Sequence, residues 1–223
     1  MALIGTHIRF ALDIKDDFGG KSLDKYISGA VYPDSRYLTK IDRKITHWTD
    51  TYDSKFCQND DFKKGWMSHL IYDRIQGDVF KEIFPELFVN FKEETKILSP
   101  ENWVLRTSLK ILQDLDDIEK FNVKNYLKCL EYFETPNKEK NEVMKEYNQM
   151  FVDIYQKDKV EILDLVNMWI KFEIKKELTD WIEKKTKQFS LDGEILKKIP
   201  LVYPATIKQY RQEIDEKLQD PTF

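Results

Sequence analysis

The stretch that decides the fold is residues 59–75, which read NDDFKKGWMSHLIYDRI. Asn59 or Asp60 suits a helix N-cap, and Asp61 places an acidic residue in the first turn. With a period of 3.6 residues per turn, one stripe of the predicted helix carries Phe62, Trp66, His69, Asp73 and Phe80. An imidazole and a carboxylate therefore point where the large aromatic side chains point.

His69 and Asp73 are four residues apart, so a helix places both on one face, close enough to coordinate a common ion. An ionised carboxylate buried beside aromatic rings is costly unless it is compensated, and a divalent cation is the strongest local compensator. The alternative is a buried aspartate paired with an arginine or a backbone donor, with His69 as a hydrogen-bonded core residue. Such pairs also occur on ordinary helices.

Asp34 and His47 add a second carboxylate and a second imidazole to the candidate ligands. Residues 27–36 predict a helix that ends at Gly29 and passes into an irregular segment, where Pro33 fixes the backbone before Asp34. A carboxylate on a stiffened segment loses little freedom on coordination, and His47 follows shortly after. Taken alone, the Pro-Asp pair is equally an ordinary turn signal.

His7 is the third and last histidine of the chain, and all three lie within the first 69 residues. It shares a helical face with Phe10, Ala11 and Ile14, so it points toward a core. A lone histidine on such a face is more often a packing residue. Only convergence with the other four side chains makes His7 a ligand candidate.

The order of these motifs resembles a known family. It consists of His7, then GAVYPD at 29–34, RKITH at 43–47 and GWMSHLIYD at 65–73. This order resembles the zinc-dependent phospholipase C family, whose fold is shared with the P1-type nucleases. It more distantly resembles membrane-bound metal-dependent hydrolases. The match covers residues 1–80.

The resemblance implies an all-α, multi-helix bundle in which several inward-facing helices supply the metal ligands. It implies one metal site formed by Asp34, His47, His69 and Asp73, with His7 beside it. The family uses three zinc ions and further histidines, whereas this chain has no histidine after His69. One ion with two or three imidazoles and two carboxylates is therefore expected, and a second, weakly held ion near His7 is the most the sequence allows.

The chemistry of imidazole and carboxylate ligands favours zinc, with iron, manganese or nickel as alternatives. The leading hypothesis is a metal-dependent hydrolase of a phosphoester that uses a metal-activated water. Asp34 or Asp73 would act as the base, and Arg43 or Arg36 would bind the phosphate and stabilise its charge. The alternatives are a noncatalytic, metal-stabilised scaffold or ligand-binding protein, and an HD-type phosphohydrolase, although the chain has no adjacent His-Asp dipeptide.

Composition agrees with a single helical domain spanning residues 1–223. Hydrophobic residues make up 41% of the chain, and seven glycines and seven prolines are few for this length. Six glycines lie in the first 77 residues, so residues 1–80 are interpreted as the metal-site segment and residues 81–223 as helical scaffold or substrate wall.

Helices are expected beyond the site segment, and a loop delimited by Gly193, Pro200 and Pro204 is expected before the last of them. Their expected ranges are 79–93, 101–116, 122–133, 138–156, 159–187 and 204–218.

The net charge of −4 and the absence of a basic aromatic stripe argue against general nucleic-acid binding. Arg36, Lys40, Arg43 and Lys44 form a local cationic exception that would suit a small phosphoester or a solvated surface. No signal peptide or membrane-spanning segment is recognisable. The two cysteines fit a reducing compartment, although they could form one disulfide, and a cytoplasmic location is predicted. The sequence leaves the oligomeric state open.

Overall fold

The computed structural model describes residues 3–18, 20–48, 54–88, 99–132, 136 and 138–219. These residues form α-helices, short 3-10 helices and turns, and no β-strand occurs among them. The predicted all-α class is therefore confirmed.

The first half of the chain contains mostly short helices around one long helix. They are α1 (Ile4–Asp13), α2 (Lys15–Phe18), α3 (Leu23–Val31), a 3-10 turn (Tyr32–Ser35), α4 (Arg36–Thr39), α5 (Arg43–Thr46), α6 (Ser54–Cys57), α7 (Asp61–Ile83) and α8 (Pro85–Phe88).

The second half contains longer helices. They are α9 (Pro100–Lys120), 3-10 segments at Val123–Glu131 and Lys138–Lys140, α10 (Asn141–Tyr155), α11 (Ile162–Lys171), α12 (Lys176–Phe189) and α13 (Gly193–Gln219).

The start of α7 agrees with the sequence. Asp60 is the N-cap, and its side chain accepts a hydrogen bond from the Lys63 backbone N–H. The predicted aromatic stripe is buried: Phe62, Trp66 and Phe80 are at most 7% exposed. Burial of this stripe against the neighbouring helices stabilises α7 over its whole length.

The crossing of α3 and α7 depends on two glycines. A Cβ atom on Gly29 would lie 1.9 Å from the Phe62 carbonyl oxygen, and one on Gly65 would lie 1.8 Å from the Tyr26 carbonyl oxygen. The helix α3 continues past Gly29 to Val31, so the prediction that it ends at Gly29 was wrong. The glycine serves backbone contact between two helices rather than a left-handed cap.

The predicted helix over 159–187 is wrong, because it is divided into α11 and α12. Glu173 has a φ of 59°, a left-handed conformation that ends α11. Trp169 on α11 is nevertheless buried, as expected for a central helix.

The predicted loop around Pro200 and Pro204 is also wrong, because both prolines lie inside α13. An internal proline removes a helical hydrogen bond. Here Ile199, Val202 and Tyr203 are buried on one side of the helix, and this burial outweighs the local disruption.

The remaining boundaries differ more modestly. The expected helix over 79–93 is instead the end of α7 followed by α8, and residues 89–93 lie outside the described residues. The expected helix over 122–133 is a 3-10 segment that ends at Glu131. The other two ranges, 101–116 and 138–156, correspond to α9 and to a 3-10 turn followed by α10.

One hydrophobic core contains residues from Leu3 to Tyr210, so the first and last helices belong to the same packed interior. The division into a site segment and a scaffold stays a prediction. None of the described helices is both long enough and apolar enough to cross a membrane.

Candidate metal centre

The five predicted ligands converge at one place in the bundle. His7 lies on α1, Asp34 on the 3-10 turn after α3, and His47 directly after α5. His69 and Asp73 lie one turn apart on α7. Donor atoms of these residues fall into two overlapping groups of three, each with all its atoms within 4.8 Å of one another.

Four of the side chains surround a common space. His47 Nε2 lies 3.7 Å from Asp34 Oδ1 and 3.8 Å from Asp73 Oδ2. His69 Nε2 lies 3.8 Å from Asp34 Oδ2 and 3.7 Å from Asp73 Oδ2. Tetrahedral zinc, with bonds of about 2.0–2.2 Å, places neighbouring ligand atoms roughly 3.3–3.6 Å apart. Small side-chain adjustments would therefore suffice for these four groups to hold one ion.

The two imidazoles are oriented by contacts on their other nitrogen. His69 Nδ1 donates to the Ala30 carbonyl oxygen at 2.8 Å, a contact made by the close crossing of α3 and α7. His47 Nδ1 lies 2.9 Å from Thr46 Oγ1. The Trp66 indole N–H donates to the Thr46 carbonyl oxygen at 2.7 Å and so ties this segment to α7. Each histidine thus presents Nε2 to the site, as metal-binding histidines with a fixed second contact do.

His7 stacks on His69, with 3.8 Å between ring centroids and 12° between ring planes. Both of its ring nitrogens are buried without a hydrogen-bond partner among the described residues. Its position is set by the preceding residue: the backbone N–H and hydroxyl of Thr6 donate to Asp114 Oδ1 at 2.7 and 2.9 Å. A network on α9 therefore fixes the start of α1 and holds His7 beside the four-ligand space.

Asp34 is the strongest anomaly of the site. Its side chain is 3% exposed, and neither carboxylate oxygen accepts a hydrogen bond from any described residue. Burial raises the pKa of this carboxyl, while the positive charge of Arg36 acts in the opposite direction. Asp34 therefore has neither an arginine nor a backbone donor as a hydrogen-bond partner among the described residues. The alternative stated for His69 and Asp73 is met in part, because Asp73 pairs with Lys110 and His69 bonds the Ala30 carbonyl oxygen.

Asp73 differs from Asp34 because it has a cationic partner. Burial alone would raise its pKa, but the ammonium of Lys110, together with other nearby positive charges, outweighs this effect and holds the pKa of Asp73 well below its usual value. Lys110 Nζ donates to Asp73 Oδ1 at 3.2 Å. The carboxylate is therefore ionised, as a metal ligand must be.

The three imidazoles are neutral at physiological pH. Burial lowers the pKa of His7, His47 and His69, in the case of His47 to about 2. Neutral imidazole is the form that binds a metal. The site thus combines three uncharged nitrogen donors with two carboxylates, at least one of them ionised.

Arg36 and Arg43 both act on the site electrostatically, but neither touches the ligands. Arg36 is half-buried, and its guanidinium lies over the Tyr37 ring at 4.1 Å and donates to the Tyr37 hydroxyl at 2.6 Å. Arg43 is exposed, and its charge helps to lower the pKa of His47. Lys40 lies farther from the site and pairs with Glu173 at 2.7 Å.

Lys110 is a residue of the candidate site that the sequence interpretation missed. It lies on α9 in a polar stripe with Gln113, Asp114 and Asp117, spaced three and four residues apart. That stripe was the available signal for buried polar contacts. Its partner, Asp73, is on another helix, which the spacing within α9 cannot reveal.

No protein-family model, curated protein or solved structure matches this chain. The relation to the phospholipase C family therefore stays a prediction. Function is inferred from the five side chains and their surroundings.

Proposed function

We propose that this protein is a metal-dependent hydrolase whose substrate is a phosphoester. The observation that carries the proposal is the Asp34 carboxylate, which is buried opposite the Nε2 atoms of His47 and His69 and accepts no hydrogen bond from the part of the chain that the structure describes. A buried acceptor of this kind destabilises the folded protein unless a cation binds there. A divalent ion would neutralise the charge of the carboxylate and bind the Nε2 atoms of both imidazoles.

The ion would be held by Asp34, His47, His69 and Asp73. Two imidazoles and two carboxylates form a ligand set that zinc binds well, with iron, manganese and nickel as alternatives. The neutral state of the imidazoles supports this assignment, since no proton has to be displaced from them on binding.

A bound ion of this kind supplies an acidified water and polarises a phosphoryl oxygen. Asp34 or Asp73 could accept a proton if it is not fully committed to the metal. The Asp73 side chain is more accessible, at 17% exposed against 3% for Asp34, whereas the raised pKa of Asp34 makes it the more basic of the two. Arg43 and Arg36 would bind the phosphate and stabilise the charge that develops on it. Arg43, being exposed, can reach toward a substrate without breaking a described contact.

The all-α architecture supports, without requiring, membership of the phospholipase C and P1 nuclease fold. Ligands come from α1, α7, the end of α5 and a 3-10 turn, which is the inward-facing arrangement expected of a bundle metal site. Cys57 and Cys129 are both buried and are not joined in a disulfide, which supports the predicted cytoplasmic location.

A metal-stabilised, noncatalytic scaffold is the second candidate. The observation that favours it is burial: the side chains of His7, Asp34, His47 and His69 are all at most 7% exposed. Structural metal sites are closed, whereas catalytic sites keep one position open to water or substrate. The partial exposure of Asp73 favours the catalytic candidate.

The test combines metal analysis with a substrate panel. The protein is reconstituted with zinc, dialysed and analysed for bound metal, then assayed with p-nitrophenyl phosphate and bis-p-nitrophenyl phosphate, with and without chelator. We expect one tightly bound ion, chelator-sensitive hydrolysis, and loss of both in His69→Ala. Asp78→Asn, an exposed carboxylate on the same helix, is the control and should behave as wild type.

Each outcome separates the candidates. Bound metal without turnover of either ester would support the scaffold. A His69→Ala protein that retains stoichiometric metal would contradict the ligand assignment.

A further inference from the structure

We propose that Lys110 is the fixed second cation of this site, so that the centre consists of one metal ion and one ammonium group rather than two metal ions. This inference rests on the proposed metal site. It concerns a residue that no ligand motif includes, on a helix that supplies none of the five predicted ligands.

The two oxygens of Asp73 face different surroundings. Oδ2 lies 3.8 Å from His47 Nε2 and 3.7 Å from His69 Nε2, within the four-ligand space. Oδ1 lies 3.9 Å from His7 Nε2 and 3.2 Å from Lys110 Nζ. Asp73 therefore stands between two cation positions, and Lys110 is in contact with the second.

His7 supplies the other half of that second position. Its ring is 1% exposed, and its nitrogens have no hydrogen-bond partner within the described ranges. The His7 imidazole and the Asp73 carboxylate oxygen that it faces are both common metal-ligand groups. Without an ammonium group beside it, this pair would attract a second divalent ion.

The charge of Lys110 opposes such an ion. At a separation of about 4 Å, two positive charges near a protein surface repel strongly enough to weaken binding by orders of magnitude. The ammonium is held in place, since the Lys110 side chain is 11% exposed and bonded to Asp73. A second ion would have to displace it from a nearly buried contact.

The same helix offers a lysine that shows what an ordinary surface contact looks like. Lys120 is 47% exposed and pairs with Asp116 one turn away on α9. Lys110 instead crosses to another helix, 37 positions away in sequence, and reaches a predicted ligand. Because Lys110 is nearly buried and contacts a predicted ligand on another helix, we count it as part of the site rather than of the surface of α9.

The experiment is calorimetric titration of metal-free protein with zinc. Wild type, Lys110→Ala, Lys110→Gln, Lys110→Arg and Lys120→Ala are compared, and circular dichroism confirms that each is folded. We expect one zinc equivalent for wild type, Lys110→Arg and Lys120→Ala. Lys110→Ala and Lys110→Gln should each take up a second equivalent, at least about tenfold more tightly than wild type does.

The outcomes distinguish the two proposals. If wild type binds one zinc ion and both neutral variants bind one with unchanged affinity, Lys110 is only a counter-ion and the inference is overturned, while the metal site stands. Two tightly bound ions in wild type would overturn it as well. Failure of every variant to bind zinc would overturn the metal site and the inference together.

Discussion

Two buried aspartates of the bundle have opposite surroundings. Asp114 accepts hydrogen bonds from the Thr6 backbone N–H, the Thr6 hydroxyl and the Tyr155 hydroxyl, the last at 2.6 Å. Asp34 is equally buried and accepts none from the described residues. Burial of a carboxylate is thus compensated internally in one region and left uncompensated in the other.

We interpret Asp114 as a structural carboxylate and Asp34 as a proposed metal ligand. Asp114 joins α9 to the beginning of α1, and its bonds satisfy it without any ligand. Asp34 faces the Nε2 atoms of His47 and His69, and neither nitrogen donates a hydrogen bond to it. Unpaired buried polar groups in a folded protein require an explanation, and the proposed metal ion would supply one for Asp34.

The largest effect is expected from Asp34→Asn. Removing a charged ligand should weaken zinc affinity by more than about 100-fold, beyond the loss typical of groups that only orient a ligand. Asp114→Asn, tested in parallel, should keep zinc affinity within about tenfold. Competition with a chromophoric chelator measures both, and equal losses in the two variants would remove the distinction between the regions.

The next effect is on stability. Asp114→Ala leaves the Thr6 N–H and the Tyr155 hydroxyl buried without their acceptor, so we expect a loss of about 3 kcal/mol in the free energy of unfolding. Urea denaturation of the metal-free protein measures it. Asp116→Ala, on the same helix, is the control, and a change in Asp114→Ala no larger than in this control would contradict the structural role.

The third effect is a pH dependence. Burial raises the pKa of Asp114 to about 6, despite the three hydrogen bonds that lower it. Because the folded state binds this proton more tightly than the unfolded chain, the contribution to stability is complete below about pH 4 and is lost as the pH rises through about 6.

The Asp114→Asn variant has an amide at this position, which does not titrate in this pH range. Between about pH 4 and pH 7 its free energy of unfolding, relative to wild type, should therefore rise by about 2 kcal/mol. Denaturant titrations at several pH values measure the difference, and a constant difference across that range would show that Asp114 does not titrate as described.

The smallest effect is expected at a residue that only orients a ligand. Thr46→Val removes the hydroxyl beside His47 Nδ1 while conserving volume, and should weaken zinc affinity about tenfold. Thr46→Ser keeps the hydroxyl and should stay close to wild type. Chelator competition measures both variants, and identical behaviour of Val and Ser would show that the contact does not orient His47.

Local chemistry made part of this structure predictable. The N-cap at Asp60 and the buried stripe of α7 follow from residue type and helical spacing, and the five ligand candidates were found from the same patterns. The all-α class was implied by the family resemblance, and composition agreed with it. Each of these features is decided within a few turns of helix.

Features that depend on distant partners were missed. Gly29 resembled a helix end because its contact with α7 is not visible in its neighbours. Pro200 and Pro204 resembled a loop because their local effect is overridden by packing of the whole of α13. Lys110 had no visible role because Asp73 lies on another helix.

The central claim is that Asp34, His47, His69 and Asp73 hold one metal ion. X-ray absorption at the zinc edge of the reconstituted protein tests it most directly. The account predicts one zinc ion per chain with only nitrogen and oxygen ligands, at about 2.0–2.2 Å, and the outer-shell scattering of two imidazoles. Sulfur ligands at about 2.3 Å, or a spectrum without imidazole scattering, would contradict it.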